Sequence, residues 1–228
     1  VSEPTVKTID LDQPDVLVVV ATIPGREDLL KRAIASIRED MSRVLIVGAI
    51  EVDLGGLGPA AARNRAVVQA LGAGVKPTWI AFLDDDDEFH PDHLRKCIEH
   101  AVENAADVVY PWFDLRVGDR TDNSRDPLLM NGELAFGQQF DGAALAANNF
   151  IPVTALVRTS KFVEVGGFPE PNSEAWPHPD CEDWALWLRL LDAGAKFSHL
   201  PERTWTWHWH GKNTSGRPDR AQQIYSSN

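Results

Sequence analysis

Four consecutive aspartates, Asp84 to Asp87, close the apolar run of "WIAFLDDDDEFHPDHL", residues 79–94. Carboxylates at the end of a buried strand suit a hard divalent cation that keeps positions open for phosphate oxygens. Side chains alternate along an extended chain, so Asp84 and Asp86 are expected to project together while Asp85 and Asp87 point elsewhere. The plainer alternative is a solvated acidic turn that caps the following helix. It accounts for one or two acidic residues but poorly for four, because unneutralised like charges repel at this spacing.

A second carboxylate pair, Glu182 and Asp183, stands at the start of "CEDWALWLRLLDAGAKF". Its structural reading is a helix N-terminus, with Asp180 as cap and the two acids as favourable first-turn charges. Its chemical reading is a general base held by a helix that is anchored through Trp184, Trp187, Leu188 and Leu191. Both readings use the same geometry. In "TWTWHWHGKNTSG", alternation places Thr206, His208 and His210 on one face and Trp205, Trp207 and Trp209 on the other. Either histidine could complete a manganese site beside carboxylates, although a single histidine is more often a surface group. "GGLGPAAARNRA" has the glycines and helix start of a phosphate cradle, with Arg63 and Arg65 adding positive charge. It lacks the G-K-[ST] of a P-loop and the G-x-G-x-x-G of a dinucleotide site, so taken alone it reads more readily as a plain loop before an amphipathic helix.

These residues need a frame. "VLVVVATIPG" (16–25) reads as a strand buried on both faces, followed by an amphipathic helix in "REDLLKRAIASIRED" and a second buried strand in "RVLIVGAI". A helix from about Pro59 to Leu71 leads to a third strand, "TWIAFL", which ends at the aspartates. A helix with Pro91 near its first turn and a fourth strand, "DVVYPWFDLRV", complete a pattern of alternating strands and helices. Such a pattern predicts a doubly wound, mostly parallel α/β sheet, whose ligands sit outside the carboxyl ends of the strands. Residues 117–150 show little periodicity and read as loops and short elements. "IPVTALVRTSKFVEVGGF" then predicts a strand and a short helix ending at Gly166 and Gly167, and "RTWTWHWHG" a final strand.

The chain has 228 residues and 43% hydrophobic content, and no apolar stretch reaches the roughly 18 residues that cross a bilayer. A net charge of −12 disfavours a nonspecific grip on nucleic acid, leaving only a local basic groove for such a partner. Cys97 and Cys181 lack metal-ligand spacing, and the acidic start "VSEPTVKTIDLDQPD" lacks the pattern of a secretory signal, so a cytoplasmic protein is expected.

Taken in order, "VVVATIPGREDLLKRAIASI", "GPAAARNRAVVQA", "WIAFLDDDDEFHPDHL", "PVTALVRTSKFVEVGGF" and "CEDWALWLRLLDAGAKFSHLPE" resemble the family-two inverting glycosyltransferases of GT-A fold. The likeness runs over roughly residues 15–215. It implies a single domain over 1–228, with a nucleotide-sugar-binding half at about 15–115, an acceptor and catalytic half at about 116–215, and a tail at 216–228. The resemblance further implies an Rossmann-like GT-A sheet and transfer of a sugar from a nucleoside-diphosphate-sugar, a UDP-sugar foremost, to a hydroxyl acceptor with inversion. The family's D-x-D motif falls on Asp84 and Asp86, with Asp87 as an adjacent alternative and Mn2+ or Mg2+ as cofactor. Its E-D pair maps to Glu182 and Asp183, with Asp183 as the base. His210 is implied as a third metal ligand, with His208 in reserve. Thr22, Ile23, Pro24 and Arg26 match the nucleobase rim, Arg63 and Asn64 lie near ribose and phosphates, and Asp85 counts among the donor-side positions. Where the family commonly carries "VDDGS", this chain has "IVGAIEVDLGG", so Glu51 or Asp53 takes that place after a shift in register. With no membrane helices after the histidine strand, the resemblance implies a soluble enzyme that adds single sugars. A non-catalytic carbohydrate- or nucleotide-binding module and a metal-dependent nucleotidyltransferase or phosphohydrolase are the alternatives.

Overall fold

A computed structural model describes residues 15–37, 44, 46–121, 138–169 and 181–210. The β-branched run Val16–Thr22 forms β1, and all but one of its seven residues are buried, as expected of a strand covered on both faces. It lies between two parallel neighbours, β2 (Ile46–Val52) and β3 (Trp79–Asp84), with Ala21 level with both Glu51 and Asp84. Helices α1 (Glu27–Ser36) and α2 (Pro59–Gly72) make the crossovers. This register brings the ends of β1, β2 and β3 to one rim.

The chain then forms a two-residue strand, β4 (Glu88–Phe89), followed by helix α3 (His93–Glu103) and strand β5 (Val108–Val117). The left-handed Asp92 (φ 72°) is the N-cap of α3, so Pro91 precedes this helix and lies outside its first turn. β6 (Arg120–Thr121), α4 (Gly142–Ala147), β7 (Leu156–Arg158), α5 (Thr159–Glu164), α6 (Glu182–Asp192) and β8 (Phe197–Trp209) follow. Among the described residues one sheet has the order β2-β1-β3-β7-β5-β8-β4, with β6 beside β5. β7 and β4 run antiparallel to their neighbours, whereas β5 and β8 pair in parallel. The architecture is therefore mixed α/β with the main strands aligned.

Alternation divides the core between the two faces of the sheet. Leu17, Val19, Ile80 and Phe82 meet Trp187 and Leu190 on one face, and Val18, Ala81 and Leu83 meet Leu94 and Cys97 on the other. The β5–β8 pairing changes register around Trp112, next to Pro111, which has no N–H to give the ladder. Beyond that shift Phe113 and Leu115 pack with Trp205 and Trp207 in the second core. The opposite face of the same strands carries Asp114, Thr206 and His208.

Within the segment read as irregular, the structure places β6 and α4, while residues 122–137 and the tail 216–228 lie outside the described residues. The six residues "GAALAA" carry no apolar stripe to announce a helix; Asp141 starts it by accepting from the Ala144 N–H at 2.9 Å. In α6 the line of deepest burial runs through Leu186, Trp187 and Leu190, while Trp184, Leu188 and Leu191 are partly buried against the same core. Its N-cap is the left-handed Cys181 (φ 78°) without a side-chain cap bond, and Asp180 lies outside the described residues.

Candidate active site

The rim formed by β1, β2 and β3 collects the acidic residues. β3 ends at Asp84, and the chain turns at once, closed by the Asp87 N–H donating to the Asp84 carbonyl at 3.1 Å. This turn overrides the strand alternation. Asp84, Asp86 and Asp87 each offer a carboxylate oxygen, and those oxygens lie within 4.8 Å of one another. Asp87, expected to point elsewhere, is thus brought to the cluster. Asp85 turns inward, 2% exposed, accepting from Thr22 Oγ1 at 2.6 Å and pairing with Arg26 at 3.0 Å.

Arginines in the two crossover helices, and at the N-cap of α1, hold most of this charge. Arg63 donates to Asp84 at 2.5 Å, and Arg26 donates to Asp86 at 2.6 Å. Arg32 donates to the Asp86 carbonyl at 2.7 Å. On the carboxylate of Asp87, among the described residues, only the His208 backbone N–H is seen, at 3.0 Å. Burial, with Asp86 and Asp84 alongside, pushes the Asp87 carboxyl well above the usual carboxylate range. These residues fit a divalent cation: three oxygen donors converge, and the least compensated of them is buried. His210 Nε2 lies 2.9 Å from Asp86 Oδ2, at the edge of the same group. His208 does not join it, because its ring turns to Glu88 at 2.7 Å, the residue its own strand faces across the β4–β8 pairing.

Across Arg63 stand the carboxylates of α6. Arg63 Nη1 donates to Glu182 at 2.6 Å while Nη2 holds Asp84, so one buried guanidinium spans both carboxylate sets. Asp183 accepts from the Trp184 N–H at 2.8 Å. Burial first, then the neighbouring Glu182 charge, push the Asp183 carboxyl up to about 7, a range suited to a general base. The helix is fixed behind them by its tryptophans, whose indole N–H groups donate to the carbonyls of Leu145 and Ile151 at 2.7 and 2.9 Å.

Along the rim after β1, Ile23 is half exposed and Pro24 is exposed, beside buried Thr22. Glu51 pairs with Arg65 at 2.9 Å. Asp53 accepts from the Leu57 and Gly58 N–H groups at 3.2 and 2.7 Å. Burial raises the Asp53 carboxyl, but the N–H groups of Gly58, Leu57 and Gly55 outweigh it and hold the group below its usual range. The glycine loop therefore gives these donors to the protein's own carboxylate, not to a phosphate. Asn64 is similarly engaged: it bonds both the N–H and the carbonyl of Phe168, at 3.0 and 2.8 Å. Arg32 carried no signal in the sequence, since it reads as one more polar position on α1 and meets the acidic turn only in the tertiary fold.

The sheet order, the acidic turn at the end of β3 and the E-D pair at the start of α6 define the GT-A class of folds. The family model described as glycosyl transferase family 2 matches residues 50–166, more than half of the chain. The chain belongs to glycosyl transferase family 2. No curated protein matches it in sequence. Among solved structures it is similar to S. aureus TarS 1-349 in complex with UDP-GlcNAc, with TM-score 0.63 and 16% identity over 87% of this chain and 60% of that one. It is also similar to the UDP complex of TarS 1-349, with TM-score 0.61 and 17% identity over 86% of this chain and 60% of that one. At such identity the likeness is one of fold, and the chain spans about 60% of the length of these chains.

Proposed function

We propose that the protein transfers a sugar from a UDP-sugar to a hydroxyl acceptor with inversion, using a divalent cation held by Asp84, Asp86 and Asp87. The observation that carries this reading is the bridge at Arg63, with the convergent carboxylates on one side and the Glu182–Asp183 pair on the other. UDP as the nucleotide is supported by family membership and by the UDP-GlcNAc and UDP complexes of the similar TarS fold.

In this reading Mn2+ or Mg2+, when bound, supplies Lewis-acid stabilisation of charge on the departing diphosphate. Asp84, Asp86 and Asp87 are the residues to hold it, with His210 at their edge. Thr22, Ile23, Pro24 and Arg26 line the nucleobase side. Asp183 takes the proton of the acceptor hydroxyl as that oxygen attacks the anomeric carbon opposite the leaving group. A carboxyl near 7 accepts a proton more readily than an ordinary aspartate. No helix among the described residues is long and apolar enough to cross a membrane, and Cys97 and Cys181 are not joined in a disulfide. A cytoplasmic location belongs to this proposal as an expectation from the sequence.

The test is UDP release from UDP-N-acetylglucosamine and UDP-glucose, with and without Mn2+. Metal-dependent release that is lost in Asp86→Ala, together with retained donor binding and lost turnover in Asp183→Asn, is the expected result. Full turnover in Asp183→Asn would remove the base assignment. Sugar binding without nucleotide binding would identify a carbohydrate module, and pyrophosphate among the products a nucleotidyltransferase.

A further inference from the structure

The Arg63 side chain has a role that its place near the donor does not require. Arg63 is 3% exposed and lies in the second turn of α2, a crossover helix of the nucleotide half. Its two Nη atoms hold carboxylates from different elements: Asp84 at the end of β3 and Glu182 in the first turn of α6. The guanidinium carbon stands 5.5 Å from the centre of the Phe168 ring, and the Asn64 clamp fixes the Phe168 backbone from the next residue of the same helix. A planar fork with rigid donors makes this two-point attachment directional in a way that an ammonium could not reproduce.

Glu182 and Asp183 are adjacent in one helical turn, and the Glu182 charge raises the proton affinity of Asp183. We propose that Arg63 is a positioning residue that draws the Glu182 carboxylate to Asp84, leaving Asp183 as the only carboxylate of the pair open to a substrate hydroxyl. This inference rests on the reading of Asp183 as the base. The other groups around Asp183 support the division. The Trp184 N–H donates to it, and the Asn149 side chain bonds it. α4, which packs against α6, contributes only glycine, alanine and leucine. Arg63 thus pairs directly with Glu182 while its charge also bears on Asp183.

The experiment is a carboxyl-detected NMR pH titration of the full chain without donor or metal, in wild type, Arg63→Met, Arg63→Lys and Arg63→Met/Glu182→Gln, beside UDP release from UDP-N-acetylglucosamine with Mn2+. In Arg63→Met the Asp183 midpoint is expected to rise by about one unit, a tenfold gain in proton affinity. Turnover is expected to fall by about 10- to 100-fold, with a smaller change in donor KM. Adding Glu182→Gln is expected to return the midpoint towards that of wild type, because it removes the competing anion. Arg63→Lys keeps the charge without the fork, so it preserves the midpoint better than the turnover, and it serves if Arg63→Met does not fold. An unmoved Asp183 midpoint in the folded variants, or a loss confined to donor KM, would overturn the inference. Full turnover in Asp183→Asn would instead overturn the base assignment on which it rests.

Discussion

Gly166 and Gly167 form a natural pair for testing how the Asn64 clamp organises the site. Both adopt left-handed backbone, with φ of +77° and +73°, so alanine at either position costs about 1–2 kcal/mol from the backbone alone. Their surroundings differ. A Cβ at Gly166 would meet only Arg189 Nη2 at 3.8 Å, an ordinary contact. A Cβ at Gly167 would stand 2.5 Å from Asn64 Oδ1 and 3.1 Å from two ring atoms of Phe162. Asn64 would have to move, weakening two hydrogen bonds to Phe168 worth about 1 kcal/mol each, and Phe162 is packed in the core with little room. Gly167→Ala should therefore cost about 3–5 kcal/mol, against about 1–2 kcal/mol for Gly166→Ala. Equilibrium urea unfolding reads both values, and the larger one is a large share of the roughly 5–15 kcal/mol that stabilises an ordinary domain. In an Asn64→Ala background the crowding oxygen is gone, so the increment of Gly167→Ala should shrink by about 1–2 kcal/mol. Equal costs at the two glycines, or strict additivity with Asn64→Ala, would refute the clamp.

Two further outcomes concern charge. Asp87 has its carboxyl raised by burial and by Asp86 and Asp84, so its ionised form opposes folding. The folded value lies above the unfolded one, and the penalty is therefore absent below about pH 4 and grows as pH rises. Asp87→Asn should raise the metal-free melting temperature at pH 7.5 by about 2–4 °C for each kcal/mol relieved. The gain should vanish near pH 3–4, and the variant should lose most of the stabilisation that Mn2+ gives wild type; a thermal-shift series over pH and Mn2+ checks both. Asp183, pushed up to about 7, must be ionised to act as a base. Turnover should consequently rise with pH through about 7, and an acid limb near pH 4 in a pH–rate profile would contradict the assignment.

Much of the frame was legible because it depends on local pattern. The run "VLVVVA" has no polar side chain to offer solvent and reads as a central strand, while "TWTWHW" alternates strictly and sorted its tryptophans to the core. Asp84 was legible as the end of such a strand, and Glu182 and Asp183 as the start of a buried helix. The direction of Asp87 was not legible, because extended alternation stops where the chain turns, and the turn is closed by a backbone bond invisible to side-chain pattern. Nor was the turning of His208 to Glu88, which depends on β4, a strand of two residues formed only by pairing with β8.

By itself, the sequence determined that a carboxylate-rich rim follows a buried parallel strand and that a second acidic pair opens an amphipathic helix, since periodicity and residue type set both. Only the tertiary structure decided how four adjacent negative charges coexist. Arg26 precedes α1 as its N-cap, Arg32 lies in α1 and Arg63 in α2, and these meet the acidic turn through crossovers whose geometry is set by the packed sheet. Electrostatic pairing depends on distance in space, and residues as far apart in the chain as Arg63 and Glu182 acquire that distance only when the core has closed.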